Sequence, residues 1–236
     1  CNLVASIYEK EKPDLLSVVV SAPGRINKRN MGAKITDILE RIYENDDIGV
    51  NLDEVKSRVK SLASNLELDL GFLNTHLSEL ERCIMDNVSE KQENKDRNYS
   101  AITGFGEMVQ VETIGRFFDL AFNSLTSKWL NFNEFGMLTD GYKDTGVLPE
   151  SLLAIEKALS GGGIVFLPGF IGCNSRGELT TFGRDGSNFT ATKIAEALLA
   201  KEVRIYSDEP GIRRAHPLFV PDAEIISELT TPIHKT

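Results

Sequence analysis

An α/β fold built on a mostly parallel sheet, with helices over both faces, is what this sequence predicts. Two observations predict it. Continuous apolar, β-branched runs, "LLSVVVSAPG" (15–24) and "GIVFLPGFIG" (163–172), read as strands buried on both faces. Around them lie segments with apolar residues at helical spacing, and strands alternating with helices argue for a parallel sheet.

Taken in order, "CNLVASIYEKEK" (1–12) reads as helix with no cap, and the run at 15–24 is the first strand. "AKITDILERIYEN" (33–45) is a helix. Two more follow across 51–88, with Asn51 as an N-cap and Gly71 near a break. The charged stretch "SEKQENKDRN" (89–98) reads as a solvated loop, and 99–121 as a helix whose start is weakened by two glycines. "FGMLTDG" (135–141) is a short strand entering a loop. "PESLLAIEKALSGGG" (149–163) is a helix stopped by glycine. The strand at 163–172 precedes a shorter one, "ELTTF" (178–182). "SNFTATKIAEALLA" (187–200) is a helix, "EVRIYSDEPG" (202–211) a strand, and "PDAEIISEL" (221–229) opens one more helix. With no Pro-, Gly- or Ser-rich linker and no repeat, residues 1–236 read as one domain.

Composition excludes several functions. Of 236 residues 41% are hydrophobic and 26% charged, an ordinary globular balance. The net charge of −9 is interspersed, so no nucleic-acid surface is expected. Cys1, Cys83 and Cys173 are far apart and odd in number, which indicates neither a disulfide framework nor a zinc site. His76, His216 and His234 are scattered too, so no protein-held metal is expected. A reduced cytosolic or organellar setting fits, and a cytoplasmic one is expected. No run approaches the roughly 20 apolar residues of a membrane span, and no signal peptide is visible.

Chemistry is expected beyond the carboxyl ends of the strands. "SAPGRIN" (21–27), "PGFIG" (168–172), "FGRDGSN" (182–188) and "SDEPGIRR" (207–214) occupy such ends, and each pairs glycine with polar or apolar contact groups. In the third, a helix N-terminus offers unsatisfied N–H donors and a partial positive charge. Arg184 adds a planar fork and Ser187 a hydroxyl, together a seat for an anion. On the residues alone a second reading stands equally: Ser187 caps the helix and Arg184 pairs with Asp185. Neither a P-loop nor a GxGxxG fingerprint is present.

In order and spacing, "VVVSAPG" (18–24), "FGE" (105–107), "GFIG" (169–172), "TTFGRDGSN" (180–188), "YSDEPGI" (206–212) and "HPL" (216–218) resemble the amino acid kinase superfamily, and within it the catalytic domain of aspartate kinases. The resemblance implies a three-layer α/β/α sandwich and transfer of the γ-phosphoryl group of ATP to the β-carboxylate of L-aspartate. Mg²⁺ would bridge the phosphates, with no metal ligand from protein side chains, and a homodimer is implied. Position by position, Arg184 matches the arginine that pairs with the substrate α-carboxylate, and Ser187 lies in the same loop. Glu107 matches the glutamate near the substrate ammonium, and Phe170 the phenylalanine lining that pocket. Ser21 falls near the transferred phosphoryl group. Ser207 and Asp208 stand at the nucleotide, followed by Gly211 and Arg213 in its loop.

Departures fall inside the site. Asn188 replaces an acidic residue near the phosphoryl group, Leu218 an arginine at the nucleotide, and Asn27 a hydroxyl residue. Losing one charge-assisted phosphate contact costs about 1.5–3 kcal/mol, a roughly ten- to hundredfold weaker nucleotide, unless Arg213 or Arg214 substitutes. These departures support a second reading, a catalytically impaired homologue serving as a nucleotide- or amino-acid-binding regulatory subunit. A superfamily relative acting on another acid, such as N-acetylglutamate, is a third. The family's opening Lys-Phe-Gly-Gly-Thr-Ser strand and its C-terminal ACT domains have no counterpart here, so the chain is expected to be an incomplete kinase domain. The expected outcome is little aspartate-dependent ATP turnover by these 236 residues alone in a coupled assay.

Overall fold

Two faces of one strand organise the molecule. β3 (Gly163–Pro168) lies in the middle of a three-stranded sheet, between β1 (Leu15–Val20) and β2 (Ser127–Trp129), and both neighbours run parallel to it. Successive side chains of a strand point to opposite faces. Ile164 and Phe166, with Leu16, Val18 and Val20 of β1, accordingly pack against Val111 and Phe118 of one helix. Val165 and Leu167, with Leu15 and Val19, meet Ile155, Leu159 and Ile194 of two others. The result is helix, sheet, helix: the three-layer α/β/α sandwich expected.

The computed structural model describes residues 1–24, 33–89, 94–183, 186–207, 211–215 and 219–228. Chain contacts divide them into two units, Cys1–Val203 and Arg204–Thr236. In the first unit the helices are α1 (Asn2–Glu11), α2 (Ile35–Tyr43), α3 (Ile48–Asn65), α4 (Gly71–Ser89), α5 (Lys95–Thr103), α6 (Phe105–Ala121), α7 (Ser151–Leu159) and α8 (Gly186–Ala197). α6 and α1 cover one face of the sheet; α7 and α8 cover the other. α2, α3, α4 and α5 close a separate apolar core around Ile38, Leu39, Val55, Val59 and Leu73, joined to α6 through Phe105 and Val109.

Several elements differ from the sequence reading, each for a local reason. Asn51 is not an N-cap: α3 starts earlier, behind Asp47, and the buried Asn51 amide donates to the Asp46 carbonyl at 2.6 Å. The helix expected at 99–121 is two helices meeting at Gly104, where a Cβ would stand 2.6 Å from Leu179 and 2.9 Å from the Ser100 carbonyl. α5 begins at Lys95, inside the stretch read as loop, because Asn98 and Ser100 are buried beneath its charged surface; residues 90–93 of that stretch lie outside the described residues. β4 (Ile171–Cys173) and β5 (Leu179–Thr181) pair antiparallel, as a short connection demands. The segment 135–141 forms isolated bridges, Leu138 to Cys173 and Thr139 to Val147, in place of a strand.

No strand is formed at 202–207, and Val203, Ile205 and Tyr206 are exposed; β-branched composition alone does not make a strand. In the second unit, Arg213 bridges Ile225 antiparallel, the Arg214 N–H reaches the Glu224 carbonyl at 2.9 Å, and the Ile226 N–H reaches that of Ile212 at 2.7 Å. That pairing takes the residues expected to open a helix at 221–229, and no helix forms among the described ones.

α6 approaches the sheet closely because Gly115 has no side chain. A Cβ there would stand 2.6 Å from Cε3 and 2.9 Å from Cβ of Trp129. Gly115→Ala is expected to lower stability by about 1–3 kcal/mol, the cost of overpacking a filled interface, read as a lower urea midpoint with unchanged m-value.

Candidate active site

The carboxyl ends of β1 and β3 lie side by side, with Val20 paired to Pro168. One residue beyond, the Gly169 N–H donates to the Val20 carbonyl at 2.8 Å and carries the ladder past the proline. The chain then reverses: the Ile171 N–H donates to the Gly169 carbonyl at 2.7 Å around Phe170, whose φ is +65°. A three-residue turn with positive φ is rare and strained, and for a phenylalanine costs about 1–3 kcal/mol. Neighbours hold it in place. The Phe170 carbonyl accepts the Phe182 N–H at 2.8 Å, and the Phe170 N–H donates to Oγ1 of Thr190 at 3.1 Å.

The first turn of α8 is pressed onto this reversal. A Cβ on Gly169 would stand 2.5 Å from Oγ and 2.9 Å from Cα of Ser187; one on Gly186 would stand 3.0 Å from Cα of Phe170. Ser187 is half-buried and Asn188 exposed at the helix start, where unpaired N–H groups and the helix dipole favour an anion. Arg184 and Asp185 lie outside the described residues. Gly183, just before them, approaches Asp144, whose Oδ1 would be 2.9 Å from a Cβ there. Beneath, buried hydroxyls pin the loop after residue 138: Thr139 to Thr180 at 2.9 Å, and Ser100 to Thr181 at 3.0 Å and to the Tyr142 carbonyl at 2.7 Å.

From the other side α6 delivers Glu107 in its first turn. Gly106 lets the helix approach β1 closely, since a Cβ there would stand 2.7 Å from that of Ala22. Glu107 is 3% exposed; its Oε1 accepts the Ala22 N–H at 3.2 Å, while Oε2 is buried with no hydrogen-bond partner among the described residues. Burial pushes this carboxyl up to about 8, against the N–H groups of Ala22 and of Glu107 itself, which pull it down. A buried acceptor left unpaired costs about 1–3 kcal/mol and more when charged, so it points to a missing cationic or N–H partner. Ser21 is exposed at the same strand end.

The structure therefore brings Ser21, Glu107, Phe170, Ser187 and Asn188 to one end of one sheet. The nucleotide candidates Ser207, Asp208, Gly211 and Arg213 belong to the second unit. There the Arg213 guanidinium donates to the Ala223 carbonyl at 3.1 Å, Gly211 has φ +140°, and Arg214 pairs with Glu224 at 2.9 Å; Ser207 is exposed. Asp208 and Leu218 lie outside the described residues, as does Asn27. Sequence reading missed Thr190 and Asp144: one reads as an ordinary helical residue, the other as a loop carboxylate. Neither carries a local signal, because what matters is the turn each meets.

The fold and its strand ends together define an α/β/α sandwich domain with a helix N-terminus and a buried carboxyl gathered at one end of the sheet. A sequence profile of the amino acid kinase family matches residues 16–233, and the chain belongs to that family. It is 36% identical over 132 residues to an aspartokinase of Thermus thermophilus, covering 56% of this chain and 32% of that one. Against aspartokinase 3 of Bacillus subtilis it is 26% identical over 223 residues, 92% of this chain and 47% of the relative. The crystal structure of E. coli aspartokinase III in complex with aspartate and ADP, in the R-state, superposes with a TM-score of 0.75 at 22% identity over 95% of this chain and 49% of that one. Clostridium acetobutylicum aspartate kinase gives 0.67 at 19% identity, over 94% of this chain and 48% of the other. These likenesses confirm the fold. The chain spans 32% to 47% of the length of these curated relatives. No described helix is long and apolar enough to cross a membrane.

The raised pKa of Glu107 carries a stability consequence. In the unfolded chain the carboxyl of Glu107 returns to the ordinary value of 4.5, while folded it sits at about 8. Between these the folded state binds the extra proton, so this contribution to stability is present below 4.5 and lost as pH rises towards 8. Glu107→Gln is expected to flatten the fall in unfolding free energy across that window, measured by urea denaturation at successive pH values.

Proposed function

We propose that this chain forms the catalytic domain of an aspartate kinase, transferring the γ-phosphoryl group of ATP to the β-carboxylate of L-aspartate to give 4-phospho-L-aspartate. This is the entry to lysine, threonine and methionine synthesis. The observation that carries the reading is Oε2 of Glu107, buried with no hydrogen-bond partner among the described residues. An α-ammonium supplies both the donor and the positive charge that this buried oxygen lacks, and so draws the carboxyl into its ionised form. Support comes also from the relatives, which are aspartokinases, and from the one in complex with aspartate and ADP.

In this reading Arg184 and the N-terminus of α8, with Ser187, hold the substrate α-carboxylate, and the Phe170 ring walls the pocket. Ser21 and Asn188 flank the phosphoryl group in flight. Ser207, Asp208, Gly211 and Arg213 serve the nucleotide. Catalysis of this kind is positioning and charge neutralisation. Among the described residues no three His, Cys, Asp or Glu side chains converge to hold a metal. Mg²⁺ would enter on the ATP phosphates. A homodimer working in the cytoplasm completes the proposal.

The test is aspartate-dependent acyl phosphate formation by the protein at its full natural length, trapped with hydroxylamine. Because the ammonium needs an ionised Glu107, KM for aspartate should fall as pH rises from 6 towards 8, by up to about tenfold per unit. Glu107→Gln should raise KM about ten- to a hundredfold at pH 8 and abolish that slope. No hydroxamate with aspartate as acceptor sinks the proposal.

A further inference from the structure

We infer that Thr190, which the fold buries completely behind the reversal at Phe170, is a positioning residue for the amino-acid pocket: its single hydroxyl sets the turn and the start of α8 relative to one another. This rests on the reading of the pocket given above. Thr190 is 0% exposed. Its Oγ1 donates to the Gly186 carbonyl at 2.9 Å, one helical turn back, and accepts the Phe170 N–H at 3.1 Å. A hydroxyl has one hydrogen to give and two lone pairs, so both roles are filled at once. One bond ends on the first residue of α8 and the other on the residue of strained backbone.

The strain gives the clamp its purpose. A phenylalanine with positive φ persists only where its surroundings over-determine it. Of the contacts that do so here, the Thr190 bond is the one supplied by a side chain. The bare faces of Gly169 and Gly186 let Ser187 and Phe170 close to van der Waals contact. They permit that approach without enforcing it. Remove the hydroxyl and the Phe170 N–H loses its partner, so the turn can relax towards negative φ. The aromatic ring and the α8 amides then no longer face one ligand at a fixed spacing. Displacements of about 1 Å in such a pocket cost up to about a hundredfold in function.

The experiment compares wild type, Thr190→Val and Thr190→Ser, measuring calorimetric affinity for L-aspartate and for ATP, and Tm. The expected result is that Thr190→Val weakens aspartate about ten- to a hundredfold, leaves ATP within about threefold, and that Thr190→Ser restores aspartate binding. A lowered Tm with unchanged aspartate affinity overturns the inference, as does a serine variant as weak as the valine. Should Thr190→Val not fold, Thr190→Cys, a poor hydrogen-bonding group of similar size, is read in its place. If wild type binds no aspartate, the functional reading fails separately. The crystal structure of the same variant then decides the clamp: Phe170 leaving positive φ supports it, and Phe170 unmoved overturns it.

Discussion

The parallel pairing of β1 with β3 is the constraint on which the rest depends. Its register ends at Val20 and Pro168, so two strands separated by well over a hundred residues finish at one level. Pro168 contributes no N–H, and the next residue, Gly169, makes the last rung to Val20. Past that rung the pairing of β1 with β3 ends. β1 releases Ala22, whose N–H turns to Glu107, and β3 turns back through Phe170. A slip of one residue would exchange the two faces of each strand and bury the wrong side chains in both cores. The apolar interlock of Ile164 and Phe166 on one side, and of Val165 and Leu167 on the other, therefore fixes the site from below.

Unfavourable features gather at this same end. A buried carboxyl oxygen with no partner among the described residues, a phenylalanine with positive φ, and Gly106, Gly169 and Gly186, each packed under 3 Å from where a side chain would start, gather at the strand termini. Local rules are broken together there, and the folded sheet offsets the cost. The lower helical core of α2 to α5 shows the ordinary pattern, with Ile38, Leu39, Val55 and Leu73 wholly buried and charges outside.

Much of this was legible in the chain. The apolar runs at 15–24 and 163–172 announced the strands that begin them, β1 and β3. "FGE" and "GFIG" pointed to Glu107 and Phe170, which lie at the ends of those strands. What was not legible was tertiary. The helix break at Gly104 follows from the nearness of Leu179, which no local pattern shows. The buried amide of Asn51 looks like a cap until the helix is seen to start before it. Val203, Ile205 and Tyr206 have strand composition, yet strand formation needs an edge to join, and composition does not supply one. Thr190 is the sharpest case: its importance lies in a turn twenty residues away.

The contact of Trp129 with Gly115 has a practical side. This is the only tryptophan in the sequence, and its indole lies flush with the helix that carries Glu107 about two turns further up. Arg116, from the same helix, has its guanidinium 5.6 Å from the ring centre. Nature has thus placed an intrinsic fluorophore, with a neighbouring cation to tune its emission, on the seam that carries the buried carboxyl. A shift of α6 against the sheet would be read as a change of colour and intensity, with no label attached.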